Sequence, residues 1–405
     1  AGYRFDGWYT TDGYTTRLSI STTYFYVPKS TDASIFPKFT AATFPLDSNG
    51  TANCYIAPDL GTSYSFDATV MGNNRTTLNV TPQKLSGTQA RVLWETGTVR
   101  GAVIKDAEYK SGHIVFTTGT DRGNALIGLF DSRGNCVWSW HIWSVDYDPA
   151  AAAQTYKSGA VFMDRNLGAL TTDYTQPASR GLYYQWGRKD PFIYPATCQD
   201  AVKRADAVYA AGFEYAVSEP RNAATESPYD VMTVEWFIAH PTTFMNNAMF
   251  EDWEEWTSRA DWHYPNHPNL WGNVTTSKNN ISRVSNKSIY DPCPVGWKVP
   301  SPEAFRGITG VSQSIPYYIT IHYNGNRTTN LPLGGMFSEN RYSGNGKGGS
   351  LYTNAPYYMR WESNVCLFYD IACTPIGFST GTTTPDIGTP DYYRYAARPV
   401  RCIRE

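Results

Sequence analysis

Helical periodicity is nearly absent from this chain, and that absence turns the reading toward strands and turns. Charge is also scarce. Of 405 residues only 17% are charged, and 34 Lys and Arg against 36 Asp and Glu leave a net charge of -2. No basic field exists to draw in a polyanion, which excludes nucleic acid and an anionic membrane surface as partners. No run of about 18 apolar residues occurs, so no transmembrane segment is expected. The seven cysteines include no Cys-x-x-Cys and no Cys/His group at zinc spacing, which excludes a structural zinc module. Gly-x-Ser-x-Gly is missing, and GNGKGGS at Gly344 lacks the Gly-Lys-Ser/Thr order of a phosphate loop; it reads as a flexible loop. Ala1 opens without a signal peptide, so an export or lipid signal is expected upstream.

What the chain has is aromatic and hydroxyl-rich: 15% Phe, Trp and Tyr, with 30 Tyr and 13 Trp, amid abundant Thr, Ser, Asn and Gly. Such a surface suits a secreted β-rich protein, although Tyr and Thr also simply favour strands. Tyr64, Phe66, Ala68 and Val70 alternate with polar neighbours, as a half-buried strand does. HIVFTTG from His113 predicts another strand, and NALIGLFD and CVWSWHIW across Ser132-Arg133-Gly134-Asn135 predict a hairpin. Many short strands, each burying one face, predict an N-terminal β-sandwich. DYDPAAAAQTYKSG from Asp146 reads as a connection, dividing the chain into domains 1–148 and 149–405. The second half predicts an α+β domain with long loops. Short helices are expected in DAVKRADAVYAAG from Asp200 and in DVMTVEWFIAHPTTFM from Asp230 until Pro241 interrupts it.

Two segments, YDPCPVGWKVPSPEAF from Tyr290 and AARPVRCIRE from Ala396, read as the first and last pieces of one disulfide-closed module. Cys293 and Cys402 stand 109 positions apart (402 − 293), and a loop of that order restricts the unfolded chain by roughly 4–5 kcal/mol if closed. The odd cysteine count leaves at least one thiol unpaired, and Cys366 and Cys373 are open to pairing or to standing as free neighbours.

Together with TANCYIAPDLGTSYSF from Thr51, GNALIGLFDSRGNCVWSWHIWSVDYDP from Gly123, VFMDRNLGA from Val161, LYYQWGRKDPF from Leu182, TVEWFIAHPTTF from Thr233 and LWG at Leu270, these segments closely resemble fimbrillin-like or cell-adhesion surface proteins of Bacteroides-type bacteria. The latter part also looks like the Fibrobacter succinogenes major paralogous domain, with its Asn-Leu, Cys-Pro-x-Gly-Trp and terminal Val-Arg-Cys. The resemblance implies an exported protein at the cell surface or on a pilus, anchored through the outer membrane. Its partners would be a glycan, a host extracellular protein or other pilus subunits. It also implies a C-type-lectin-like fold for the second domain, closed by Cys293 and Cys402. Where lectins of that type place oxygen ligands for calcium, this chain has Glu219-Pro220-Arg221 and Trp361-Glu362-Ser363-Asn364, so no calcium or other cofactor is expected. Formylglycine-generating enzymes share a related fold, but Cys366 and Cys373 do not match their cysteine pattern.

No convergent catalytic set emerges. His263 and His267 have metal-like i, i+4 spacing, but Pro265 and Pro268 forbid the helix that would align them. His141, between Trp140 and Trp143, reads as a packed histidine satisfied by backbone. Glu251, Asp252, Glu254 and Glu255 crowd one segment, where carboxylates face solvent rather than flank a glycosidic bond. The stronger signal is aromatic: Trp253, Trp256, Trp262, Tyr264 and Trp271 lie among Asp, Asn and His. Indole and phenol faces pack against sugar C–H groups while the polar neighbours bond hydroxyls. The competing reading is that some of these rings, Trp271 above all, anchor a long loop. The expectation is therefore an adhesin or pilus-tip subunit that binds without turnover. The rivals are a purely structural pilus subunit and a carbohydrate-active or cysteine-dependent enzyme.

Overall fold

A computed structural model describes residues 3–27, 34–97, 99–193, 217–218, 233–245, 286–311, 318–332, 336–338, 341–343, 348–360, 367–379, 386–387 and 397–405, with 262, 267 and 269–272. The described chain is mostly β-strand in several sheets, with one short α-helix among those residues. Two four-stranded sheets organise the first half. In one, Cys54–Ala57, Cys136–Ser144, Gly123–Phe130 and Gln89–Glu95 lie side by side; in the other, Thr43–Pro45, Ser63–Asp67, His113–Thr118 and Ile104–Lys110.

The alternation read from the sequence has its physical counterpart here. Tyr64, Phe66 and Ala68 are buried and meet Ile127, Trp140 and Ile142 of the facing sheet in one apolar cluster. Phe66 packs 5.2 Å from Trp140 and stacks on Tyr55 at 4.5 Å between ring centres. The hairpin forms as expected, Gly123–Phe130 running antiparallel to Cys136–Ser144. Asp131 builds its turn by accepting the amides of Arg133 and Asn135 at 2.9 and 2.8 Å, and Gly134 supplies the positive φ of 86°.

This hairpin departs from a simple sandwich strand pair because both of its faces are covered. Ala125, Ile127 and Leu129 point into the cluster just described. Leu126 and Trp143 point the other way, into a cluster with Met163, Leu167, Trp186, Trp271, Cys293 and Cys402. Packing is therefore continuous across the expected boundary at 148/149. A third sheet, Arg17–Ser19, Tyr3–Tyr9 and Phe36–Ala41, contributes nothing to the four buried clusters found among the described residues. Nearby Ile20, Phe25 and Val27 are strongly exposed, Phe25 at 90%.

Strands of the second half range from two to thirteen residues. Ile403–Arg404 lies between Val161–Phe162 and Trp297–Lys298, bringing the start, middle and end of the half into one small sheet. Just before it, Cys402 is bonded to Cys293, with Cα atoms 6.0 Å apart; the closure expected of the two terminal segments is present. Cys54 and Cys136 are buried free thiols. Longer antiparallel pairs, Tyr318–Asn324 with Arg327–Pro332 and Gly348–Arg360 with Leu367–Ser379, complete the half. Cys373 falls on the last of these strands, while Cys366, the helix expected from Asp200 and the acidic run at Glu251–Glu255 lie outside the described residues. So do both calcium-type triplets. The helix expected from Asp230 is realised as Val234–Ala239, capped by Thr233 Oγ1 accepting the Trp236 amide and ending at His240 before Pro241.

Candidate functional site

A cleft of about 200 Å³ opens where the two halves meet, between the loop around Met71–Gln83, the helix Val234–Ala239 and the residues His267, Leu270 and Tyr290. Its lining joins the apolar Met71, Val80, Val234, Ile238 and Leu270 and the Tyr290 side chain to the polar Asn79, Thr81, Gln83, Glu235 and His267. No Lys or Arg lines it.

Each wall is fixed by a specific interaction. Gly72 has a φ of +49°, and a Cβ there would lie 2.2 Å from the carbonyl oxygen of Ile289, so only glycine lets this loop approach the Tyr290 segment. Beside it, Asn73 Nδ2 donates to the Lys287 carbonyl at 2.7 Å. Asn53 spans the halves more firmly. Its Nδ2 donates to the carbonyls of Ile289 and Asp291 at 2.7 and 2.9 Å, while its Oδ1 accepts Trp138 Nε1 at 2.9 Å. The loop that carries Cys293 is clamped from within by Lys287, whose Nζ donates to the carbonyls of Cys293, Pro294 and Trp297. Asp291 faces it at 3.8 Å and accepts the amides of Cys293 and Val299. Burial pushes the Lys287 pKa down and the Asp291 pKa up, the direction in which each group resists carrying charge.

Arg188 holds the helix wall. Its guanidinium donates to the carbonyls of His240, Pro241 and Thr243 at the helix end and lies over Phe192, Phe237 and Trp262. Its neighbours in the GRKDPF motif are also interior: Lys189 and Asp190 pair at 2.6 Å, and both meet Ser139 of the central hairpin. His141 is buried and held neutral, its pKa pushed down to about 3 by desolvation. Its ring partners are the side chains of Asn124 at 2.9 Å and Tyr184 at 3.5 Å, not backbone as expected. Asn124 has already turned its amide to the Gly168 carbonyl, which leaves its oxygen for the ring.

The aromatic platform reads differently in the structure. Trp262 and Trp271 are 2% and 0% exposed; their Nε1 groups donate to the carbonyls of Trp186 and Arg188, and Trp271 packs 5.7 Å from Trp186. Burial to this degree leaves neither ring open to stack on a ligand and fits the alternative reading, in which Trp271 above all anchors a loop. Trp253, Trp256, Tyr264 and His263 lie outside the described residues. The same segment does reach the cleft through His267 and Leu270. Met71 was not singled out from the sequence, and Tyr290 only as the start of its motif, because only the tertiary fold brings residues 71–83, 234–238, His267, Leu270 and Tyr290 together. The one available signal was Met71-Gly72, a glycine at a loop start.

Cys54 and Cys136 are poor nucleophiles. Burial raises both thiol pKa values, that of Cys136 to about 12. Among the described residues no three His, Cys, Asp or Glu side chains gather as a metal site would require, and no helix is long and apolar enough to cross a membrane. No family model, no curated protein and no solved structure matches the chain.

Proposed function

We propose that this protein is an exported surface adhesin or pilus-tip subunit that binds a glycan or extracellular protein in the cleft between its halves, without turnover. In this reading the two N-terminal sheets are a β-sandwich used for connection or assembly, and the remainder is a lectin-like adhesive part. The observation that carries it is the cleft itself. A lining that combines apolar side chains and Tyr290 with amide, hydroxyl, imidazole and carboxylate groups has the chemistry that grips a sugar's C–H face and bonds its hydroxyls. The Cys293–Cys402 bond supports export, because such bonds persist in oxidising compartments.

The test is an array of glycans and extracellular proteins probed with the full chain and with Ile238→Arg, with and without chelator. Hits lost in the variant at unchanged thermal stability support the cleft. Hits retained in the variant overturn it. A purely structural pilus role is the second reading, favoured by the exposed apolar side chains Ile20, Phe25 and Val27. It is expected to give no array hits at all.

A further inference from the structure

The cleft sets one carboxylate beside a mostly aliphatic lining. Met71, Val80, Val234, Ile238 and Leu270 supply aliphatic surface, while Tyr290, the only Phe, Tyr or Trp among the lining residues, already packs 5.8 Å from the Trp138 ring. Glu235 is the only carboxylate of the lining, and no Lys or Arg stands there to neutralise it. It is exposed and makes no ion pair with a described residue. On the helix, Ile238 follows Glu235 by three positions and Val234 by four, so the three share one face and the charge lies next to apolar surface. Asn79 turns its Nδ2 to Asn269 Oδ1 at 3.3 Å, which leaves its own oxygen to accept.

This combination discriminates between ligand chemistries. An anionic group would meet Glu235 with no cation to receive it. A neutral sugar carries hydroxyls on most of its ring carbons and stacks best on an open aromatic face, whereas this lining offers mainly aliphatic chains and a ring already engaged by Trp138. A basic side chain matches both parts at once: its methylene stem covers apolar surface while its charged head stays at the wet end. Size agrees, since about 200 Å³ falls below the roughly 300–1,000 Å³ of pockets that enclose a drug-sized ligand.

We infer that the ligand of this cleft is an extracellular protein that inserts a lysine side chain, its methylenes against Val234, Ile238 and Leu270 and its ammonium against Glu235. The inference rests on the cleft being the ligand site and chooses between the two ligand classes proposed for it.

The methyl groups of Met71 and Ile238 report on the cleft directly in magnetic resonance spectra of the full chain. The probe is Nα-acetyl-lysine methylamide at about pH 8, where an ordinary imidazole is neutral; its Nε-acetylated form, methyl galactoside and methyl glucosaminide are compared with it. The lysine probe is expected to shift both methyl signals saturably. Nε-acetylation and Glu235→Gln should each weaken it about three- to fivefold, the worth of one exposed ion pair, and the exposed control Glu108→Gln should leave it unchanged. Equal or tighter binding of either sugar, or lysine binding undiminished in Glu235→Gln, overturns the inference and leaves the cleft standing as a ligand site. No methyl shift with any probe also overturns it, and array hits retained in Ile238→Arg would then remove the cleft reading as well.

Discussion

The two halves of the molecule are held by different physics. In the first, strands of five to nine residues such as Ser63–Asp67 and Cys136–Ser144 present alternating side chains to a shared apolar cluster. Burial of each ring and branched side chain supplies most of the stability there. In the second half, the small sheet around the disulfide is made of two-residue strands, Val161–Phe162, Trp297–Lys298 and Ile403–Arg404, too short to be fixed by their ladders. Their positions are set by the Cys293–Cys402 bond and by the buried pair Lys287 and Asp291, which bond Trp297 and Val299, while Asn53 and Arg188 fix the neighbouring loop and helix end. The first design tolerates conservative change; the second concentrates risk in a few residues.

That contrast is open to direct attack. The largest effect is expected from Lys287→Met, which leaves Asp291 buried without its cation and should cost about 3–5 kcal/mol. The matched change in the first half, Ile127→Val, should cost about 0.5–1.5 kcal/mol. Denaturant unfolding measures both, and a reversed order breaks the contrast. Cys402→Ser comes next, at about 2–5 kcal/mol, with the wild type falling to the same level under reductant; equal stability with and without reductant would contradict the staple. Asn53→Ala should cost about 1–3 kcal/mol, because Trp138 Nε1 and two carbonyls lose their partner together. The variant should also weaken any ligand of the cleft, whose Tyr290 wall Asn53 holds.

A smaller, pH-dependent effect sharpens the comparison from the first half. His141 takes up a proton near 6.5 when unfolded but resists it to about 3 when folded. Its contribution is therefore intact above pH 6.5 and is lost as pH falls from there toward 3, by about 1.4 kcal/mol per pH unit. Stability measured from pH 7 to pH 5 should fall less steeply in His141→Gln than in the wild type.

The same contrast explains what could be read before the fold was known. Tyr64, Phe66 and Ala68 announce their strand because alternation is a local property, and Pro241 announces the helix end because its ring is. Cys293 and Cys402 could be paired because the surrounding segments are distinctive. The double burial of Gly123–Phe130 was only half legible: its continuous apolar run allows two covered faces but does not say what covers the second. Trp262 and Trp271 could not be sorted between core and platform from sequence, because an indole has the same chemistry in a core as on a sugar platform and residue type does not report burial. Arg188, Lys189, Asp190 and Arg401 were noted only as parts of motifs, and their burial went unread for the opposite reason, charged side chains being expected outside. The cleft was illegible as a site, since Met71, Ile238 and Tyr290 meet only after both halves have folded.

The central claim is that these unlike halves form one structure, joined through the cluster that holds Trp143, Trp186, Trp271 and the disulfide. Differential scanning calorimetry of the oxidised full chain tests it most directly. One cooperative transition, with the calorimetric and van't Hoff enthalpies equal, is the expected result. Two separable transitions, with the first half melting independently of reductant and the second shifted by it, would contradict the shared core and with it a cleft built by both halves.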